Sequence, residues 1–303
     1  MQNNVMTPVT DWQHAAAFVR NTLCFNTRRD YAQEVRLFAA WACKPASAVT
    51  LGDLLSYREH LESRGLKPAT IAKKLTVLRR LFGFLAEQGV LPRNPSAGLK
   101  LPAVKDEASK DILTLEECNR LIGSIEAQTL RDKRDRAILA LLLINGLRIC
   151  EICRANIGDL RQTEGCWVLR VHGKGGKEAD TRIREDVLAT IHTYLEERRE
   201  TNPDAPLFIG TNHRAGARLI TRTMQHMVMG RLEVAGISRP NLTVHSLRHT
   251  AVTLVIMSGA SLIHAQEFAR HSDPKTTQRY FHNFERLKSH AVMLHPLTVQ
   301  TSA

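Results

Sequence analysis

Apolar residues recur at helical spacing through most of the first ninety positions. Over residues 11–25, Trp12, Ala16, Phe18 and Val19 mark a first short helix. Thr27 followed by Asp30 has the spacing of a helix cap, and Tyr31, Val35, Phe38 and Ala39 continue it. Thr50 and Asp53 repeat the start signal ahead of Leu54, Leu55, Tyr57, His60 and Leu61, with Gly65 as the stop. Pro68 opens a fourth helix whose stripe is Ile71, Leu75, Leu78, Leu81, Phe82 and Leu85, ended by Gln88-Gly89. Its other face carries Lys73, Lys74, Arg79 and Arg80. Such a charge run is often a solvated face; on a basic four-helix unit it is equally a candidate for phosphate contact and DNA binding.

Leu91-Pro-Arg-Asn-Pro95 stops that helix, and the polar stretch from Lys100 to Asp111 has linker composition. The expected organisation is a helical domain over 1–100, a linker over 101–111 and a second domain over 112–303. In the second domain, Thr114 and Glu117 form a capping-box pattern for a helix to about Ala127, and residues 131–145 form another that ends at Asn145-Gly146. Trp167 to Val171 alternates as a strand, with Ala179 to Ile183 as its antiparallel partner, and Leu207-Phe208 is a candidate edge strand. Helices are expected over 185–199, 222–235, 245–258, 261–269, 273–280 and 284–292. The fold class is therefore mainly α, with one small antiparallel sheet.

Charge sharpens this picture. The chain of 303 residues carries 42 Lys+Arg against 30 Asp+Glu, a formal net charge of +12. The excess is shared: residues 1–110 hold 16 basic and 9 acidic side chains, residues 111–303 hold 26 and 21. Two basic halves suit a nucleic acid gripped between two surfaces. Only 5% of residues are aromatic, which argues against base-stacking as the main grip. The six cysteines are scattered, and Cys150-x-x-Cys153 has no second pair, so reduced thiols are expected and a zinc ribbon is not. No signal-peptide pattern opens the chain and the apolar run Ala137–Ile144 is too short for a bilayer, so a cytoplasmic protein without membrane association is expected.

Read singly, the motifs are weak. Arg148, just past Gly146 at a helix entry, is either an anion site or a surface cation paired with Glu151. Lys174 lies in Gly173-Lys-Gly-Gly-Lys177 between two strand patterns, which is no Walker sequence; a glycine-flanked lysine at a hairpin tip reaches into a groove or simply marks a flexible turn. His245 and Arg248 fall on one helix face. His245 and His249 have the spacing of a zinc pair but lack the intervening Glu, so no metal is assigned. His271 stands at a helix–turn boundary, and Tyr280, taken alone, is an ordinary half-buried aromatic.

Taken in order, Arg, hairpin Lys, His-x-x-Arg, His and Tyr resemble the tyrosine recombinase (phage integrase) family, most closely its Xer-type members, over nearly the whole chain. The resemblance implies that Arg148 and Arg248 clamp a scissile phosphate, Lys174 protonates the leaving 5′ oxygen, His245 assists proton transfer at the nucleophile, His271 hydrogen-bonds the phosphate and Tyr280 attacks it. Glu151 or Asp159 would support the first Arg or the fold. It further implies an N-terminal SAM-like domain that binds the core DNA, a catalytic domain with a C-terminal docking helix around residues 284–294, and a homotetramer, or a heterotetramer with a related recombinase, on double-stranded DNA. No cofactor is implied, since a phosphotyrosyl bond keeps the energy of the broken strand. Two departures stand out: Arg270 occupies a position where the family usually has Gly, and Asn145 one where Thr is frequent. A type IB topoisomerase and a DNA-binding regulator without catalysis remain the alternatives.

Overall fold

The computed structural model describes residues 12–21, 25–103, 111–173, 176, 178–211, 215–271, 273–274 and 276–278. The chain divides into two compact units, Met1–Glu107 and Ala108–Ala303.

The first unit is helical: α1 (Gln13–Arg20), α2 (Phe25–Ala42), α3 (Leu51–Ser63) and α4 (Pro68–Glu87). Phe38, Leu54, Leu75, Leu78, Leu81, Phe82 and Leu85 are fully buried between them, and Phe38 meets Tyr57 and Phe82 edge-on. The expected start of α3 is present as a reciprocal box, in which Thr50 Oγ1 accepts the Asp53 N–H and Asp53 Oδ2 accepts the Thr50 N–H. The expected cap at Thr27 is not, because α2 is already running at Phe25; Asp30 instead faces Lys73 at 3.4 Å. The first helix is also shorter than expected, ending at Arg20.

The α4 cations divide into two kinds. Lys74 forms an ion pair with Glu34, which is buried and also accepts a 2.9 Å bond from the Tyr57 hydroxyl. Burial, then the Glu34 charge, raises the Tyr57 phenol far above its ordinary range, so it stays a donor. Arg80 donates to the Tyr31 hydroxyl at 2.7 Å. Lys73, Arg79 and Arg80 are exposed, and Lys74 is half-buried.

In the second unit, α5 (Leu115–Gly123), α6 (Leu130–Leu143) and α7 (Ile149–Arg154) precede strands β1 (Leu160–Thr163), β2 (Cys166–His172) and β3 (Glu178–Arg182), and α8 (Glu185–Arg198), α9 (Thr221–Val234), α10 (Val244–Met257) and α11 (Leu262–Ala269) follow. Helix α6 is buried on nearly every side from Ala137 to Leu143 and packs on α5, α8, α9 and α10. The sheet is antiparallel in the order β1-β2-β3, with Leu169 opposite both Leu160 and Thr181. Strand β1 was not foreseen; four residues are too few to show alternation. It is joined to β2 through Glu164-Gly165, both at positive φ, as a tight hairpin turn requires. Leu207-Phe208 is no edge strand. The pair is buried in a connecting segment that makes only isolated bridges, Asn156 with Pro206 and Ile209 with Arg218.

Residues 274 and 276–278 are helical; most of the linker and all of 284–294 lie outside the described residues. No described helix is long and apolar enough to cross a membrane.

One ion network inside this unit is centred on a fully buried carboxylate. Asp135 is 0% exposed; its Oδ1 accepts from Arg134 at 2.9 and 2.6 Å, and its Oδ2 from Arg231 at 3.0 and 2.8 Å. Removing one partner of such a network leaves buried charge unmatched. Asp135→Ala is therefore expected to destabilise the second unit by about 3–5 kcal/mol. Asp186→Ala, which removes the exposed Arg184 pair, is expected to cost at most about 1 kcal/mol. Urea denaturation of the two variants checks the contrast, and equal losses would contradict it.

Candidate active site

Gly146 sets up the site. After α6 the chain turns there at φ +57°, and a Cβ at this position would stand 3.0 Å from the Phe268 ring, so both conformation and space call for glycine. The preceding Asn145 anchors the turn by donating from Nδ2 to the Arg182 carbonyl at the end of β3, 2.8 Å away. Arg148 then becomes the N-cap of α7. Its backbone N–H donates to Glu151 Oε2 and its Nη1 to Glu151 Oε1, both at 2.8 Å. Glu151 is 1% exposed while the Arg148 side chain keeps 34% of its surface open, so a buried anion aims a half-open cation.

The other end of this six-residue helix is also held. Arg218 Nη1 donates to the carbonyls of Cys153, Arg154 and Ala155 at 3.1, 2.9 and 3.0 Å, and its Nη2 to Asn156 Oδ1 at 2.5 Å. A guanidinium placed on terminal carbonyls suits the negative end of a helix.

Arg248 arrives from α10. It is 6% exposed, and its two terminal nitrogens donate to the carbonyls of Gly146 and Ala269. One side chain thereby joins the turn before Arg148 to the end of α11. His245 lies one turn earlier on the same helix and is exposed, and His249 is half-buried.

The segment after α11 completes the pocket. Arg270 sits in the left-handed region at φ 49°, which costs a residue with a Cβ roughly 1–2 kcal/mol. Its Nη2 donates to Glu151 Oε2 at 3.0 Å, and its Nη1 to Thr181 Oγ1 of β3 at 3.4 Å and to the Phe268 carbonyl at 3.3 Å. Burial alone would raise the Glu151 carboxyl, but the charges of Arg270 and Arg148 and the Arg148 N–H outweigh it, and Glu151 titrates below its ordinary value. His271 follows, with Nδ1 2.9 Å from Thr277 Oγ1. Its backbone is tied to Gln266 in both directions, N–H to carbonyl and carbonyl to Nε2, each at 3.2 Å. Burial, then the charges of Arg248, Arg148 and Arg270, lowers His271 to about 4, so the imidazole is neutral at pH 7.

The hairpin base is fixed by His172, whose Nε2 lies 3.1 Å from both Asp159 oxygens and whose Nδ1 lies 3.1 Å from Glu178. Of the two acids considered as support for Arg148, Glu151 touches it and Asp159 holds the hairpin. Lys174 and Tyr280 lie outside the described residues. Arg148, Arg248 and His271 are brought together. Sequence reasoning missed Arg270 as the second partner of Glu151; the pair is 119 positions apart, and no local spacing betrays it.

The His271 shift has a checkable sign. Its folded value lies below that of the unfolded chain, near ~6.5. The stability it contributes is thus complete above ~6.5 and is lost as pH falls toward about 4, where the folded protein finally takes up the proton. In the free protein the His271 ring resonance, identified by its absence in His271→Asn, is expected to titrate near pH 4. A midpoint near ~6.5 would contradict the enclosed, cation-flanked environment.

Comparison with known proteins identifies the family of the chain. Residues 111–286 match the model of the phage integrase family, and residues 18–89 match that of the phage integrase N-terminal SAM-like domain. The chain is 31% identical over 291 residues to tyrosine recombinase XerD of Vibrio vulnificus, covering 93% of each chain. It is 30% identical over 277 residues to tyrosine recombinase XerD of Vibrio cholerae, covering 88% of this chain and 89% of the relative. The XerH site-specific recombinase in its post-cleavage complex with palindromic difH substrate superposes with a TM-score of 0.73 at 22% identity, over 93% of this chain and 83% of that one. A lambda integrase dimer bound to a COC′ core site gives 0.66 at 17% identity, over 87% and 94%; both structural likenesses speak to the fold alone. With the first family model spanning more than half of its residues, and these relatives most of its length, the chain belongs to the phage integrase family.

Proposed function

We propose that this chain is a site-specific DNA recombinase that cleaves and rejoins strands through a 3′-phosphotyrosyl intermediate on Tyr280. The observation that carries this reading is the convergence of Arg148, Arg248 and the neutral His271 around one turn, each fixed from behind by protein groups. Cations held in advance stabilise charge that grows on a phosphate without reorganising as the reaction proceeds. Thr277, which bonds His271, stands three positions before Tyr280 in the chain, so the nucleophile follows directly from the pocket wall.

In the reaction, the Tyr280 phenolic oxygen forms a bond to the scissile phosphorus as the bond from phosphorus to the 5′ oxygen breaks. Arg148 and Arg248 hold the non-bridging oxygens, His271 donates a hydrogen bond to one of them, and His245 assists removal of the phenolic proton. Lys174 protonates the departing 5′ oxygen. Reversal of these steps by a 5′ hydroxyl from a second duplex reseals the strand in a new connection. Exchange between two duplexes requires four active sites, so the working assembly is a tetramer, of this chain alone or with a related recombinase. The segment 284–294 supplies the contact that docks each copy on its neighbour. Lys73, Lys74, Arg79 and Arg80 contribute phosphate contacts from the N-terminal unit, the exposed Lys73, Arg79 and Arg80 most directly. The protein works in the cytoplasm.

Incubation with sheared genomic DNA, denaturation and sequencing of the DNA left joined to protein identifies the site, from which a nicked duplex is built. Wild-type protein is expected to accumulate a covalent adduct on that duplex, and Tyr280→Phe to form none; an adduct that survives the substitution overturns the nucleophile. Relaxation of a two-site plasmid without exchange under any condition would point instead to a topoisomerase.

Lys174→Ala is expected to slow cleavage by about 10²–10⁴-fold, the range of a lost general acid. Replacing the 5′ oxygen by sulfur, which leaves without a proton, should restore most of the rate. An unrestored rate would assign Lys174 a role other than proton donation.

A further inference from the structure

We infer that Arg270 is a positioning residue of the active site, which neutralises Glu151 and thereby leaves the charge of Arg148 available to the reacting phosphate. This rests on the recombinase reading above and goes beyond it, because Arg270 was no part of the expected catalytic set.

Three observations carry the inference. First, one carboxylate serves two guanidiniums. Glu151 receives Arg148 Nη1 on Oε1 and Arg270 Nη2 on Oε2, at 2.8 and 3.0 Å, and is itself 1% exposed. Without Arg270 the full negative charge of Glu151 would lie against Arg148 alone, and the half-open cation would meet a phosphate already paired. With Arg270 the cluster of Arg148, Arg248, Arg270 and Glu151 carries a net charge of +2. That matches the two negative charges a phosphodiester carries once it becomes five-coordinate.

Second, the terminal nitrogens of Arg270 face protein. They reach Glu151, Thr181 and the Phe268 carbonyl, and its side chain is 14% exposed. It therefore acts through Glu151. The bond to Thr181 also ties the carboxylate to β3, the return strand of the hairpin on which Lys174 lies, so one side chain links the anchor of Arg148 to the strand behind the lysine.

Third, the backbone works against any side chain here. Arg270 sits at φ 49°, a conformation that glycine adopts freely and residues with a Cβ do not. A guanidinium placed where local preference favours glycine, and buried beside that of Arg148, is held by what it binds. Arg270→Gly thus removes the charge while relieving the backbone, which makes it a cleaner probe than truncation at an ordinary position.

The test uses full-length protein and the nicked duplex that traps the Tyr280 adduct, under single-turnover conditions with protein in excess. Arg270→Gly is expected to form the adduct about 10–100-fold more slowly than wild type, below or near the cost of losing one direct donor to a transition state. Affinity for the uncleaved duplex should change by less than about threefold, because the phosphates that govern DNA binding are contacted elsewhere. Arg270→Lys keeps the charge and should recover at least tenfold of the loss.

The discriminating substrate replaces one non-bridging oxygen of the scissile phosphate by methyl, so that the group starts neutral and develops a single negative charge. On it the Arg270→Gly defect should shrink severalfold, whereas a pocket that has merely lost its shape would show an undiminished defect. An Arg270→Gly variant that cleaves the normal duplex at the wild-type rate, or one whose defect is the same on both substrates, overturns the inference while leaving the recombinase reading intact. A wild-type chain that forms no adduct, or a Tyr280→Phe variant that still forms one, overturns that reading and this inference with it.

Discussion

A carboxylate with 1% of its surface exposed has to be matched where it lies, and Glu151 is matched by groups of the proposed phosphate pocket. Its partners are the N–H and guanidinium of Arg148 and the guanidinium of Arg270. Because Glu151 is also the third residue of α7, the ion pair and the helix start are one arrangement. The carboxylate that closes the cap sets the direction in which Arg148 leaves the backbone. Arg248 supplies the reciprocal element, one cation gripping the carbonyls of Gly146 and Ala269 from segments far apart in the chain. The framework of the pocket is therefore made of the same charges proposed to hold the phosphate, and loss of either arginine removes a structural staple together with a proposed phosphate ligand.

This arrangement depends on a helix of only six residues, too short to be stable by itself. Helix α7 is fixed at its start by the Glu151 box and at its end by Arg218, which takes up three successive carbonyls. Its inner face, Ile149, Ile152 and Cys153, is buried in the main core. Arg148 is thus held by three kinds of force at once, and the tolerance for its position is correspondingly small. The hairpin has a comparable base. His172 between Asp159 and Glu178, and Arg154 on the carbonyls of His172 and Gly173, hold the strand up to the last residue before Lys174.

What could be read in the sequence follows the range of the interactions. The caps at Thr50 and Thr114 and the pairing of Arg148 with Glu151 span three residues, and the helix repeat displays them. The same short pattern at Thr27 misled, because a threonine three residues before an acid also occurs inside a running helix. Strand β1 escaped because four residues carry no period, although Glu164-Gly165 was a visible turn signal. Leu207-Phe208 looked like a strand because burial alone makes a short apolar run; which partner it has depends on distant chain. The basic face of α4 was legible as a face. That Lys74 belongs to the buried Glu34, 40 positions away, was not. Arg270 is the sharpest case, since a residue read as a departure from pattern at its own position is explained by Glu151, 119 positions earlier.

The electrostatics of the pocket also account for the state of His271. Three guanidiniums act on His271 while one carboxylate, Glu151, pairs with two of them, and a further cation there would be repelled by all three. Partial burial and those charges keep the imidazole neutral, with Nδ1 against the Thr277 hydroxyl. An anion entering the pocket reverses the balance: each negative charge favours the protonated ring, so phosphate and proton bind to the site with positive coupling. The cations that suppress His271 are the ones that the proposed reading sets against the phosphate. The imidazole thus becomes a stronger donor when the group it would hold is present, and the chemistry of the pocket is set by its occupant as much as by its walls.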